Sequence, residues 1–332
     1  MRISLIIQMM IIISMLNLMG LSLSAADLEK NLIFLSSRSV ASFYYPTAGT
    51  IANAVNFKRN DYGFRITVKS MRSSVSNLNG VMSGDVSFCE AQQSRIYQAS
   101  KGLGDWKGHP LTGLCSVFNT HTEYITLIAS AESGIKTIWD LKDKRVGIGS
   151  PDSDLHYNAI KILTAVGMNY TSDLSVADDR LEAIPDLLQD GNIDAFFYPV
   201  GKLSRSLANL ISGTQKVHMV PMTSPGIDAL IAANPFYEKA TVPMKLYPGL
   251  DDNAGIEALG VKMSVISSCQ TPNNTVYILT KEAFENFESF KKKHPASSMI
   301  ARKAMLEGLP APVHPGAMTY YKESEMDALL RP

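Results

Sequence analysis

The chain has 332 residues, 45% of them hydrophobic and 19% charged, which is enough for two domains with real cores. Its 31 basic and 31 acidic residues cancel to zero formal net charge. Without a long basic run, binding to nucleic acid has no electrostatic support.

The first residues decide the compartment. Arg2 is the only charge before Asp27, Ile3 to Leu23 is almost wholly apolar, and Ser24-Ala25-Ala26 follows as a run of small residues. The pattern predicts a signal peptide over residues 1–26, cut after Ala25 or Ala26. The apolar run is also long enough to span a bilayer as an uncleaved anchor, but the small residues that close it favour cleavage. No cysteine stands at the boundary to take a lipid, and no later segment is long and apolar enough to span. The mature protein is expected to be exported to the periplasm and soluble there. The cysteines are Cys89, Cys115 and Cys269. Their spacing fits no zinc pattern, and they read as small buried hydrophobes, with one disulfide as the alternative in an oxidising compartment.

From Asn31 the chain repeats a strand–loop–helix rhythm, the mark of a parallel α/β sheet. Strands are predicted at Asn31–Ser36, Phe64–Lys69 and Val86–Cys89, with helices near Thr47–Phe57, at Val75–Met82 and from Gln92. Leu114–Asn119 and Glu123–Ala129 read as two further strands, the second apolar enough to cross between domains. Arg145 to Gly167 is the most informative stretch. Val146 and Ile148 suit a short buried strand, and Ser150-Pro151-Asp152-Ser153-Asp154 is a cluster of cap and turn formers. Leu155, Ala159, Ile162, Leu163 and Val166 then recur at helical spacing, and Gly167 suits a C-terminal stop. A loop between a strand's carboxyl end and a helix's first turn presents free N–H groups that can hold a polar or anionic ligand; it can also be an ordinary capped turn.

Further on, Arg180–Gln189 is predicted helical, Ile193–Tyr198 a strand and Val217–Pro221 a short one. Pro225–Ala233 reads as helix, Asn234–Asp252 as irregular and Glu257–Ser267 as a second crossing strand. Thr275–His294 reads as one long amphipathic helix and Met299–Glu307 as another. No flexible linker separates domains, so ordered crossing strands must form the boundary. No nucleophile elbow, zinc-protease, phosphate-loop or dinucleotide motif occurs, and the six histidines have no metal-ligand spacing. A Ser153–Asp154–His156 trio lies too close in sequence to form a catalytic relay. Neither an enzyme activity nor a cofactor is therefore expected.

Several stretches together resemble one family. They are Phe43–Gly49 (FYYPTAG), Ser74–Asn77 (SVSN), Ser133–Lys136 with Asp140–Lys142, Val146–Ser153 (VGIGSPDS), Asp190–Phe197 (DGNIDAFF), and Gly308–Pro310 through His314–Ala317 with Tyr320-Tyr321 behind. In this order they are similar to the TAXI family, the TRAP-associated extracytoplasmic immunogenic proteins. The resemblance implies a two-lobed, periplasmic-binding-protein-like fold of type II. Each lobe would be a mixed or parallel sheet flanked by helices, with crossing strands joining the two. Lobe 1 would comprise residues 27–125 plus 260–332 and lobe 2 residues 126–259. The implied function is capture of a small solute, an amino acid such as glutamate or a carboxylate, and its delivery to the membrane permease of a TRAP transporter. Rivals are a receptor of the same fold for an oxyanion or a thiamine precursor, a periplasmic enzyme, and a surface adhesin.

The candidate ligand-binding residues lie in the loops at strand carboxyl ends. They are Arg38, Ser39, Tyr44 and Tyr45 in the first, Arg72, Ser74 and Asn77 in the second, Gln92 past the third strand, Ser150, Asp152, Ser153 and Asp154 in the Arg145–Gly167 stretch, and Tyr198. Ser74 and Asn77 are also candidates to cap their helix. Where the family usually has glycines, this chain has Arg72, Asp152 and Asp154. Two roles are open for these charges besides that of an exposed rim. Arg38 or Arg72 could grip a ligand carboxylate while Asp152 or Asp154 takes an ammonium. Alternatively, the arginines and acids could meet across the closed cleft. The His314 and Tyr320-Tyr321 tail is expected to staple the lobes together.

Overall fold

A computed structural model describes residues 32–37, 44–200, 205–242, 244, 247, 249–250, 255–293 and 301–330. The expected signal peptide, Arg38 and Ser39 lie outside these residues.

Three parallel strands open the fold: β1 (Leu32–Ser37), β2 (Arg65–Ser70) and β3 (Phe88–Gln92), with β1 between the others. Helices α1 (Tyr44–Phe57), α2 (Ser74–Ser83) and α3 (Gln93–Lys101) follow them in turn. The chain then enters β4 (Leu114–Ser130). After it come β5 (Arg145–Gly147), α4 (Asp154–Ala165), β6 (Ser175–Ala177), α5 (Ile184–Gln189), β7 (Ala195–Val200), α6 (Arg205–Ser212), β8 (Val217–Val220), α7 (Pro225–Ala232) and β9 (Tyr237–Val242). The return strand is β10 (Ile256–Ser268), followed by α8 (Asn273–Glu285), α9 (Phe287–Lys293) and α10 (Pro315–Glu323). The sheet order is β2-β1-β3-β10-β4-β7-β5-β6, with β8 also on β4 and β9 also on β10. Pairing is parallel at both ends and antiparallel around β4 and β10. This is the mixed α/β, two-lobed architecture expected.

Apolar side chains gather in separate bodies. One runs from Ile125 to Val261, with Phe196, Phe197, Leu155 and Ile162 at its centre. The others draw on residues before Phe118 and after Val265. Between Phe118 and Ile125, β4 carries Asn119-Thr120-His121-Thr122-Glu123, a polar stretch between the cores.

Several expectations change. Leu114–Asn119 and Glu123–Ala129 are one 17-residue strand. The polar residues between them do not break it, because β10 pairs with β4 on both sides and absorbs the misfit in a register shift between Lys262 and Ser264. The stretch expected to be irregular contains β9, whose charged residues hide its period; pairing with β10 fixes it as a strand. The long helix is two, α8 and α9. Asn286, between them, donates its side-chain amide to the Glu282 carbonyl and carboxylate at 2.9 and 3.0 Å, the local competition that ends helices. Residues 301–306 form turns, since Asn119 draws the Ala304 and Glu307 carbonyls onto its own amide at 3.2 and 2.8 Å. Of Arg180–Gln189 only Ile184–Gln189 is helical, with Pro185 setting its first turn. The tail does not staple the lobes. His314 caps α10, and Tyr320 and Tyr321 pack on Phe284 inside the body that holds β1.

The cysteines also differ from the favoured reading. Cys115, near the start of β4, is bridged to Cys269, just past the end of β10, and Cys89 is buried and free. The bridge spans 154 residues of sequence. Closing a loop of that length restricts the unfolded chain by on the order of 5 kcal/mol in the chain-entropy account. The double variant Cys115→Ser/Cys269→Ser is therefore expected to lose about 2–5 kcal/mol in urea unfolding, and reductant is expected to lower the melting temperature of the wild type but not of the variant.

Candidate functional site

The site is a seam where loops from the two bodies meet. On one side, Ser73 caps α2: its hydroxyl accepts from the Ser76 N–H while the Ser76 hydroxyl accepts from the Ser73 N–H. That reciprocal cap leaves the Ser74 N–H pointing off the helix end. On the other side, Gly149 turns the chain out of β5 at φ 87°, a left-handed conformation that favours glycine. Ser153 then caps α4 by accepting from the His156 N–H at 3.1 Å, and Asp154 becomes the first helical residue.

Asp154 crosses the seam. One carboxylate oxygen accepts from the Ser74 N–H at 3.1 Å and from the Ser74 hydroxyl at 2.8 Å. The other accepts from Arg95 Nε on α3 at 3.3 Å. Asp154 is fully buried and the Arg95 side chain 6% exposed. Arg95 also donates to Gln98 at 3.0 Å and Asp105 at 3.2 Å, and its guanidinium lies 3.9 Å from the centre of the Tyr157 ring. Gln98 in turn donates to the Tyr157 hydroxyl at 2.8 Å.

A second set of bonds lies beside the first. Asn158, one helical turn after Asp154, donates to the Gln92 side-chain oxygen at 2.9 Å and accepts from the Tyr237 hydroxyl at 3.0 Å. The Gln92 amide donates to Glu123 in the polar stretch of β4. The Tyr97 ring on α3 meets Phe236, 5.4 Å between centres. At the solvent edge Arg72 and Asp152 approach to 3.7 Å with side chains 87% and 58% exposed.

Behind the seam sits Glu90 on β3, fully buried. Ser37 donates to one of its oxygens at 3.1 Å, and Asn77 donates its side-chain amide to the Glu90 backbone carbonyl at 2.8 Å. Burial pushes the Glu90 carboxyl up to about 7, against the pull of the Thr120 and Ser37 hydroxyls.

The sequence candidates fall into distinct places. Ser74, Gln92 and Asp154 are in the buried network, and Asn77 lies against Glu90. Neither Ser74 nor Asn77 caps α2; Ser73 does. Ser153 caps α4, and the partly buried Ser150 accepts from the Ser153 N–H at 2.8 Å. Arg72 and Asp152 face each other at the rim. Tyr198 is buried in β7 against Phe196, its carbonyl accepting from Thr126. Tyr44 and Tyr45 open α1, but their side chains, like Arg38 and Ser39, lie outside what is described. Arg95, Glu90, Asn158, Tyr157 and Tyr237 are missing from the candidates. A charged residue inside the buried run Phe88–Gln92 was the available signal for Glu90, and the i, i+4 spacing from Asp154 the signal for Asn158. Among the described residues no group of three or more His, Cys, Asp or Glu side chains is arranged to hold a metal ion.

A family model describing the NMT1-like family matches residues 36–324, and the chain belongs to that family. Among solved structures it is similar to a protein of Bordetella bronchiseptica RB50, at 14% identity over 90% of this chain and 83% of that one, TM-score 0.50. It is also similar to a chain from the structural work on glutathione import via GshT and the cystine ABC importer TcyBC of Streptococcus mutans. There the identity is 12% over 83% and 99% of the two chains, TM-score 0.50. A periplasmic sulfonate-binding protein, SsuA, of Methylobacillus flagellatus KT matches at 16% identity over 81% and 73%, TM-score 0.48.

Asp154→Ala leaves the buried Arg95 with one acid fewer and is expected to cost about 3–5 kcal/mol in urea unfolding. Arg72→Glu, at an exposed pair, is expected to change stability by no more than about 1 kcal/mol. Glu90 sets a pH dependence. Its carboxyl is raised from 4.5 to about 7 in the folded chain, so the folded state holds the proton longer than the unfolded state. The stability this gives is complete below about pH 4.5 and is lost as pH rises to about 7, a fall on the order of 3 kcal/mol. Glu90→Gln is expected to flatten that part of the pH–stability curve in chemical denaturation.

Proposed function

We propose that the chain is an extracytoplasmic receptor of a TRAP-type secondary transporter. It captures a small amino-acid-like or carboxylate solute between its lobes and delivers it to a membrane permease. The lobes in this reading are residues 27–125 with 260–332 and residues 126–259, and hinge closure on the solute is the working motion. The chain is exported to the periplasm and its first 26 residues are removed. No chemical step is part of the reading.

The observation that carries it is the polar seam. Ser74, Gln92 and Arg95 come from the ends of β2 and β3 and the helices after them, and Asp154, Tyr157 and Asn158 from the helix after β5. In open α/β sheets these carboxyl ends are where ligands bind. The TRAP assignment draws on the TAXI-like stretches from Phe43 to Tyr321, whereas the work on the Streptococcus mutans relative names an ABC importer.

The test has two parts. Protein exported with its own leader is examined by native mass spectrometry, and a co-purifying small molecule is the expected result. Vesicles carrying a TRAP-type or an ABC-type permease from the same cells are then assayed for uptake of that molecule. Uptake driven by an ion gradient without ATP supports the TRAP reading; a strict requirement for ATP overturns it and leaves the receptor role standing. The absence of any bound or bindable solute overturns the receptor role itself.

A further inference from the structure

We propose that the solute docks a protonated or N–H-bearing nitrogen on Glu90 and Asn77, and that Asp154 keeps anionic groups away from the neighbouring helix end. This deepens the receptor reading and rests on it.

The first half concerns unused acceptors. Glu90 and Asn77 are both fully buried, and Glu90 Oε1 and Asn77 Oδ1 accept no hydrogen bond within 3.5 Å; the Thr120 hydroxyl, which pulls on the Glu90 carboxyl, is likewise without a partner at that distance. A buried acceptor without a donor costs about 1–3 kcal/mol, and more when it is charged. The two side chains share one wall, because the Asn77 amide nitrogen is bonded to the carbonyl of Glu90 itself. Ser37, the last residue of β1, engages only the other carboxylate oxygen. Near the carboxyl ends of β1 and β3 the chain thus holds two buried acceptors that no donor reaches within 3.5 Å, one of them on a group able to carry negative charge. An ammonium or amidine nitrogen supplies the donors that are missing. Against the ionised Glu90 a carboxylate or sulfonate would set acceptor against acceptor.

The second half concerns donors already spent. The N-terminus of α2 is the kind of place where an anionic ligand is held by free N–H groups and a nearby cation. Here the Ser74 N–H, the Ser74 hydroxyl and Arg95 Nε all converge on Asp154. The carboxylate of the facing helix stands where a ligand's anionic group would otherwise bind. Any solute that bound there through an acid would have to displace a buried, triply bonded carboxylate.

The experiment compares matched probes that differ only in nitrogen: L-glutamate with glutarate, and putrescine with 1,4-butanediol. Binding to exported full-length protein, stripped of solute by unfolding and refolding, is measured by thermal shift and calorimetry. The molecule that co-purifies is identified by mass spectrometry. At least one amine-bearing probe, or a co-purified nitrogen base, is expected to bind at least tenfold tighter than its nitrogen-free partner. Glu90→Gln, shown to be folded by its circular dichroism, is expected to erase that difference. Asp154→Asn is expected to admit ethanesulfonate, which the wild type refuses. Equal or tighter binding of glutarate or butanediol overturns the proposal, as does a co-purified solute without a basic or N–H-bearing nitrogen, or a preference unchanged in Glu90→Gln. These outcomes leave the receptor role intact. No binding by any probe together with nothing co-purified overturns both.

Discussion

The buried Asp154 carboxylate is the contact on which the meeting of the two lobes depends. It stands at the start of α4 in one lobe and takes its donors from the start of α2 and from α3 in the other. A carboxylate removed from water must be met by donors on both oxygens, and this one is. Its demands fix the rest of the seam. Arg95 must reach across, and to do so it lies along the Tyr157 ring, which Gln98 holds by the hydroxyl. Asn158, on the next turn of α4, is then carried to Gln92, and Gln92 to Glu123 on β4. One carboxylate thus aligns two helices and ties their pairing to the strand that joins the lobes.

That strand and its partner explain how the lobes can be separate and yet ordered. β4 and β10 are paired antiparallel from Leu114 with Ser268 to Ile125 with Leu259, so the connection is sheet and not tether. The apolar cores stop on either side of a polar stretch in β4, and the register shift in β10 falls beside it. A strand pair with cores gripping its two ends and a bulge in its middle concentrates bending there. The Cys115–Cys269 bridge ties the far ends of these strands inside one lobe, away from the polar stretch. It secures the anchor of the pair without restraining its middle.

Much of the architecture was legible in the sequence because it is local. The strand–loop–helix repeats, a helix cap within Ser150–Asp154 and the stop at Gly167 rest on periodicity and turn chemistry within a few residues. What failed was set by distant partners. β9 reads as irregular until β10 lies beside it, and residues 301–306 read as helix until Asn119 takes their carbonyls. The site shows the same division. Ser74, Gln92 and Asp154 sit in loops that announce themselves, whereas Arg95 looks like any helix arginine and gains its role from a residue 59 positions away. Of the charges whose role the sequence leaves open, Arg72 and Asp152 stand as an exposed pair at the rim, and the buried partner of Asp154 is Arg95.

Placing the strongest pair inside and the weaker pair at the rim has an energetic consequence if, as proposed, the lobes open and close on a solute. A buried ion pair gains attraction in a low dielectric but loses hydration of comparable size, so its net contribution to closure is small even though breaking one partner is costly. The exposed Arg72–Asp152 pair contributes about 0–1 kcal/mol. Neither contact can therefore hold the lobes shut with much force. They specify how the lobes meet rather than how tightly. In the proposed reading the larger contribution to closure comes from a solute that supplies donors to Glu90 Oε1 and Asn77 Oδ1, which accept none within 3.5 Å. A seam satisfied in geometry but nearly neutral in free energy would let a small solute control the proposed equilibrium, because a differential affinity of a few kcal/mol shifts the population between two forms.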